Sequence, residues 1–124
     1  MHAVSRNAKS EDVNGAVLIQ RARELEPVLR SRAVDAERNR RIPDATIADF
    51  RRAKITRALQ PPRFGGIATD LGVAARIAEA LARGCPSSSW VYCNYILLQW
   101  HVGLFEGQAQ EDVWGANDDA LVAA

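Results

Sequence analysis

The side chains with chemistry to offer gather late in the chain. Trp90, Asn94 and Leu98 follow at four-residue steps with His101 close to the same line, a spacing that puts all of them on one face of a helix. Trp90, Trp100 and Trp114 are core anchors more often than ligand contacts, and of the three Trp90 has the best claim to line a pocket. Asn94 says more, because an amide inside an apolar helix must bond a backbone group, another domain or a ligand. His101 has no carboxylate at helical spacing to orient it, so it reads as a structural histidine rather than an acid or base. Ser87, Ser88 and Ser89 supply hydroxyls suited to capping a helix, with no base beside them for nucleophilic work. Cys85 and Cys93 lie eight apart and the only histidines are His2 and His101, which gives no zinc-ligand spacing and leaves two thiols expected to be buried and reduced. The QPPRFGG segment lacks a phosphate-loop pattern, so Gly65 and Gly66 read as shape and not as a nucleotide cradle. No catalytic, cofactor-binding or metal-binding residue is assigned.

The elements that must position these residues are all helical, since alternating runs of Val, Ile, Thr and aromatics are missing, as are Asn-Gly or Asp-Gly turns between such runs. A first helix is predicted from about Gly15 to Arg38, with Val17, Leu18, Ala22, Leu25, Val28, Leu29, Ala33 and Ala36 as its apolar stripe. Pro27 predicts a kink or break near Leu25 or Glu26. A second helix is predicted to begin with Pro43 in its first position and to end near Arg57, with Ile47, Phe50, Ile55 and Leu59 supplying its buried side. QPPRFGG then makes a fixed turn. Thr69 or Asp70 can cap a third helix that leaves Arg76, Glu79 and Arg83 outward and stops at Gly84. A fourth starts within the serine run and continues to about Phe105. It is apolar on nearly every side, so other elements must surround it. A fifth spans about Gln108 to Trp114. The fold class is therefore all-α with about five helices: a flexible N-terminus at 1–14, a helical domain at 15–115, and a linker at 116–124.

Composition is that of a soluble globular domain, with 48% hydrophobic and 25% charged residues over 124 positions. The net charge of +1 hides an asymmetry: residues 1–67 hold 14 Lys/Arg against 8 Asp/Glu, and residues 68–124 hold 2 against 7. The arginines are interleaved with Glu24, Glu26, Asp35, Glu37, Asp44 and Asp49, which fits solvated helix faces better than a nucleic-acid surface. The uncharged stretch Cys85–Phe105 has 21 residues, long enough to span a bilayer. Its serines, Asn94, Gln99 and His101 would need partners in hydrocarbon, so a buried helix is expected and a membrane partner is not. The first residues lack the apolar run of a signal peptide, and a cytoplasmic location is expected.

Read in order, PPRFGG, a helix ending ALARGCPSSSW, a spacing of ten from Trp90 to Trp100, and LFEGQAQEDVWG resemble the N-terminal domain of the acyl-CoA dehydrogenase superfamily. Within it the resemblance is to two-component flavin-dependent monooxygenases that hydroxylate phenols and related rings, and it covers roughly residues 16–124. It implies a parent about three times longer, with a middle β domain toward which residues 116–124 lead, a C-terminal four-helix bundle and a homotetrameric assembly. It implies FAD or FMN held between those later domains, none bound by this segment alone, a separate flavin reductase, and a small aromatic substrate. The N-terminal domain then supplies one wall of the substrate pocket, with Trp90, Asn94 and Leu98 as substrate-binding residues. Two departures matter. Family members often carry histidine where Leu98 stands, and leucine cannot hydrogen-bond a phenol oxygen, which favours a more apolar substrate. They also carry glycine followed by leucine or phenylalanine where Lys54-Ile55 stands, a change that places a charge near the end of the second helix.

The resemblance implies oxygen transfer from reduced flavin and O2 to an aromatic or polycyclic substrate, for which an apolar helix would exclude water. Two alternatives stay open. One is acyl-CoA dehydrogenation within the same superfamily, against which the aromatic content of the fourth helix argues. The other is a truncated helical interaction module without activity, which would self-associate through its uncovered apolar surface.

Overall fold

The computed structural model describes residues 13–123. Among them every regular element is helical: α1 (Gly15–Asn39), α2 (Asp44–Ala53), short 3₁₀ turns at Ile55–Arg57 and Pro62–Phe64, α3 (Leu71–Gly84), α4 (Pro86–Gly103) and α5 (Gly107–Trp114). The five expected helices are present. The flexible N-terminus expected over residues 1–14 falls almost wholly outside the described residues, as does His2.

α1 starts where the Asn14 side chain accepts a hydrogen bond from the Val17 amide at 3.1 Å, the role a short polar side chain plays before a helix. Its stripe buries Leu18, Ile19, Ala22, Leu29 and Ala36. Contrary to the break predicted at Pro27, the helix runs through it uninterrupted. Both Pro27 and Arg23, whose carbonyl loses its donor, lie on the exposed side, where water can satisfy the freed oxygen. Packing against α3 holds the two halves in line. At Gly84 a β-carbon would sit 2.5 Å from the Glu26 carbonyl oxygen, and the Arg30 guanidinium bonds both Glu26 (2.7 Å) and the Arg83 carbonyl (3.0 Å).

Two boundaries of α2 differ from expectation. Pro43 is the capping residue, with ψ 148°, and not the first helical one. The helix also stops at Ala53, because Lys54 takes a left-handed backbone with φ 64°. That turn drives Ile55 into the core, fully buried, where its carbonyl accepts a hydrogen bond from the Tyr92 hydroxyl at 2.9 Å. Glycine adopts such a backbone without strain, which a lysine does not. Phe50 meets Tyr92 edge to face, with centroids 5.9 Å apart.

The turn between α2 and α3 is fixed by backbone bonds from the Ile67 and Thr69 amides to the Arg57 and Ala58 carbonyls, at 2.9 and 2.7 Å. Gly66 packs so tightly that a β-carbon would fall 1.8 Å from the Gln60 carbonyl oxygen. Asp70 caps α3 by accepting from the Val73 amide at 2.9 Å. The serine run does not cap α4. Pro86 opens that helix, Ser88 and Ser89 are buried, and the Ser89 hydroxyl donates to the Ala78 carbonyl at 2.7 Å. Its hydroxyl thus joins α4 to α3, a use that only the packed neighbour makes available. α4 ends at Gly103, short of Phe105.

One core joins α1, α2, α3 and the inner side of α4 around Leu18, Leu29, Phe50, Ile55, Ile77, Leu81 and Tyr92. A smaller one gathers Phe64, Val102 and Trp114, with Val113, Ala120 and Val122 packed on it. Arg32 braces α1 to α2 by bonding Asp49 at 2.8 Å and Thr46 at 3.2 Å, while Arg52 bonds the other Asp49 oxygen at 2.6 Å.

Two outcomes follow from these positions. Lys54→Gly should stabilise the chain by about 0.5–1 kcal/mol through relief of left-handed strain, read as a higher urea midpoint. For Asp49, burial opposes ionisation, but the hydrogen bonds and charges of Arg32 and Arg52 outweigh it and hold its pKa below the ordinary value. A depressed carboxylate contributes stability that is present above its unfolded pKa of about 3.9 and lost as pH falls through the folded value. The stability gap between wild type and Asp49→Asn should therefore be constant from about pH 5 upward and shrink below about pH 4, as followed by urea titrations across that range.

Candidate functional site

α4 carries no charged side chain, yet it is buried on only one half. Ser88, Ser89, Tyr92, Ile96, Gln99 and Val102 point inward. Trp90, 75% exposed, Leu97 and His101 point outward, and Asn94 and Leu98 are half-buried beside them. Leu104 and Phe105, both exposed, prolong this surface past the helix end. The outward side is thus a largely apolar face that the described residues leave uncovered, although a helix without a charged face calls for cover there. The residues described here simply supply no neighbour for that side.

The structure brings Trp90, Asn94 and Leu98 together along this face. His101 is exposed rather than a satisfied structural histidine, and its ring lies 5.3 Å from that of Trp100. Of the thiols, Cys85 is buried as expected, while Cys93 is only half-buried. Trp114, 1% exposed, is a core anchor. Tyr92 faces the opposite way from Trp90; burial raises its phenol pKa well above the usual tyrosine value, so it acts as a neutral donor to Ile55. Between the end of α1 and the start of α4 a cleft of about 370 Å³ is lined by Arg40, Arg41 and Ile42 on one side and Trp90 and Val91 on the other.

Residues not singled out from sequence tie the C-terminal segment to this framework. Gln99 is fully buried in α4 and donates to Gln60 Oε1 at 3.2 Å, and Gln60 donates to the carbonyls of Phe64 (2.9 Å) and Asp118 (2.8 Å). Arg57 bonds the Phe64 carbonyl at 3.1 Å, Asp118 at 3.0 Å, and Asp119. Trp114 Nε1 donates to the Ala120 carbonyl at 3.3 Å. The only local signal was an amide, Gln99, standing in an uncharged helix next to Trp100.

With this geometry in view, the chain can be set beside known proteins. It is 37% identical over 106 residues to the oxygenase subunit HsaA of a flavin-dependent monooxygenase from Rhodococcus jostii, covering 86% of this chain and 28% of that protein. It is 31% identical over 105 residues to the oxygenase component of an FADH(2)-dependent resorcinol hydroxylase from Rhizobium sp., covering 85% and 26%. Among solved structures, the 3-HSA hydroxylase from Rhodococcus sp. superposes with a TM-score of 0.81 at 37% identity, over 85% of this chain and 27% of that one. XiaF from Streptomyces sp., in complex with FADH2 and glycerol, superposes with a TM-score of 0.79 at 27% identity, over 98% and 30%. No protein-family model matches. The chain spans less than a third of the length of these relatives. In sequence and fold it is a homologue of the N-terminal helical part of flavin-dependent monooxygenases, the family its sequence resembles.

The described residues do not by themselves fit a flavin. Gly65 and Gly66 are packed against Arg57 and Gln60 and offer no open phosphate cradle. The face of α4 can supply at most one side of an enclosure.

Arg57 is nearly buried and serves the Phe64 carbonyl, which Gln60 also serves, and two half-exposed carboxylates that water can reach, Asp118 and Asp119. Arg57→Gln should therefore cost about 1 kcal/mol and loosen the chain around Asp118 and Asp119, read as a lower urea midpoint.

Proposed function

We propose that a protein built on this domain is a flavin-dependent monooxygenase that hydroxylates an aromatic or polycyclic substrate, with Trp90, Asn94 and Leu98 forming one wall of the substrate pocket. The observation that carries this reading is the uncovered apolar face of α4, on a chain that shares sequence and fold with the N-terminal part of such enzymes. FAD or FMN, reduced by a separate reductase, would be held by the parent's further domains within a cytoplasmic homotetramer. When bound, the flavin supplies the electrons that activate oxygen.

The work left to this chain is packing and exclusion. The Trp90 indole offers a flat surface on which an aromatic ring stacks. Leu98 accepts and donates no hydrogen bond, so a phenolic oxygen finds no partner there, and selectivity at this point rests on shape. Asn94 is the polar group on the wall, able to bond one substituent of a ring stacked on Trp90. The remaining apolar surface keeps water from the reacting centre.

The complete reading frame, supplied with reduced flavin, should consume oxygen in a substrate-dependent way and release a hydroxylated ring. Trp90→Ala should then raise KM by about tenfold, through the lost stacking and burial, and lower the fraction of oxygen consumption that yields product. Turnover of an acyl-CoA with an electron acceptor and no oxygen incorporation would overturn the assignment.

A further inference from the structure

Resting on the reading of Trp90 as part of the substrate wall, we infer that the substrate carries an oxyanion, of the carboxylate type, held by Arg40 and Arg41 beside the Trp90 ring. The cleft of about 370 Å³ at the start of α4 has among its lining residues an exposed tryptophan, the aliphatic Ile42 and Val91, and two arginines, Arg40 and Arg41. An indole and aliphatic walls hold a flat ring. Guanidinium groups present planar forks of donors that match an oxyanion. Together they describe an aromatic acid lying with its ring against Trp90 and its charged end toward the close of α1.

The state of the two arginines fits that role. Arg40 occupies the left-handed position that ends α1, with φ 52° and its amide bonded to the Ala36 and Glu37 carbonyls. As at Lys54, a left-handed residue here closes the helix. Among the described residues Arg40 makes no ion pair. Arg41 pairs with Asp44 at 2.7 Å, but both side chains are well exposed, and an exposed pair of that kind yields readily to a second anion. Glu37 also lines the cleft and repels an oxyanion, so the preference for one rests on Arg40, which has no ion pair among the described residues, with Arg41 as its second donor. Leu98 offers no charged group, so a charged end of the substrate has its partners at the Arg40 and Arg41 end of the face.

The test titrates the 124-residue chain with 2-naphthoate and with its neutral counterpart 2-naphthamide, following the indole N–H resonance of Trp90, assigned by its loss in Trp90→Phe. The expected result is that both probes shift this resonance, with naphthoate binding about tenfold more tightly, the increment of one charge-assisted pair. Arg40→Gly should abolish that preference, and it suits the left-handed backbone, so loss of fold does not confound it. Equal affinity for the two probes, or a preference that survives Arg40→Gly and Arg41→Gln together, overturns the oxyanion assignment while leaving Trp90 as a ring-binding wall. If neither probe moves the Trp90 resonance, both readings fail.

Discussion

Everything about this domain turns on a helix with no charged face. α4 needs cover on every side, and the described residues give it cover on one half, through Tyr92, Ile96, Gln99 and the contact of Ser89 with α3. Burying a large apolar side chain is worth about 1.5–3 kcal/mol, so an exposed Trp90, Leu97, Leu104 and Phe105 represent stabilisation that the chain leaves uncollected. Monomeric proteins rarely present such a continuous patch without a use for it. The inner half of the helix is accordingly scaffold, and the outer half is the surface on which the proposed pocket wall is built.

The scaffold is stiff where that outer face needs it. α1 lies along α3 with backbone approaching backbone at Gly84, which sets the distance between the two helices. Tyr92 is fastened from below by Phe50 and the Ile55 carbonyl. Because Tyr92 and Trp90 stand on opposite sides of one helix, fixing the first sets the direction of the second. The Gln60 and Arg57 side chains extend this bracing to Asp118, and Ala120 and Val122 pack on the smaller core, so the segment after α5 is held against the domain.

Much of this was legible in the sequence, and the misses share a cause. The five helices followed from apolar spacing and from capping residues such as Asn14 and Asp70, whose effect is local. Pro27 misled because its cost depends on whether water reaches the orphaned carbonyl, and exposure is not written in spacing. Lys54 misled because its left-handed turn is imposed by the demand that Ile55 enter the core. The serine run misled because capping and cross-helix bonding draw on the same hydroxyl.

Residue order alone determined the all-helical class, the family likeness and the shared line of Trp90, Asn94 and Leu98, since each depends on near neighbours and on the period of the helix. Tertiary structure decided which half of α4 is buried, that Arg40 and Arg41 meet Trp90 across a cleft, and that Arg57 and Gln60 grip a segment some sixty positions away. Those are long-range pairings, and a sequence constrains them only through the packing that brings distant residues into contact.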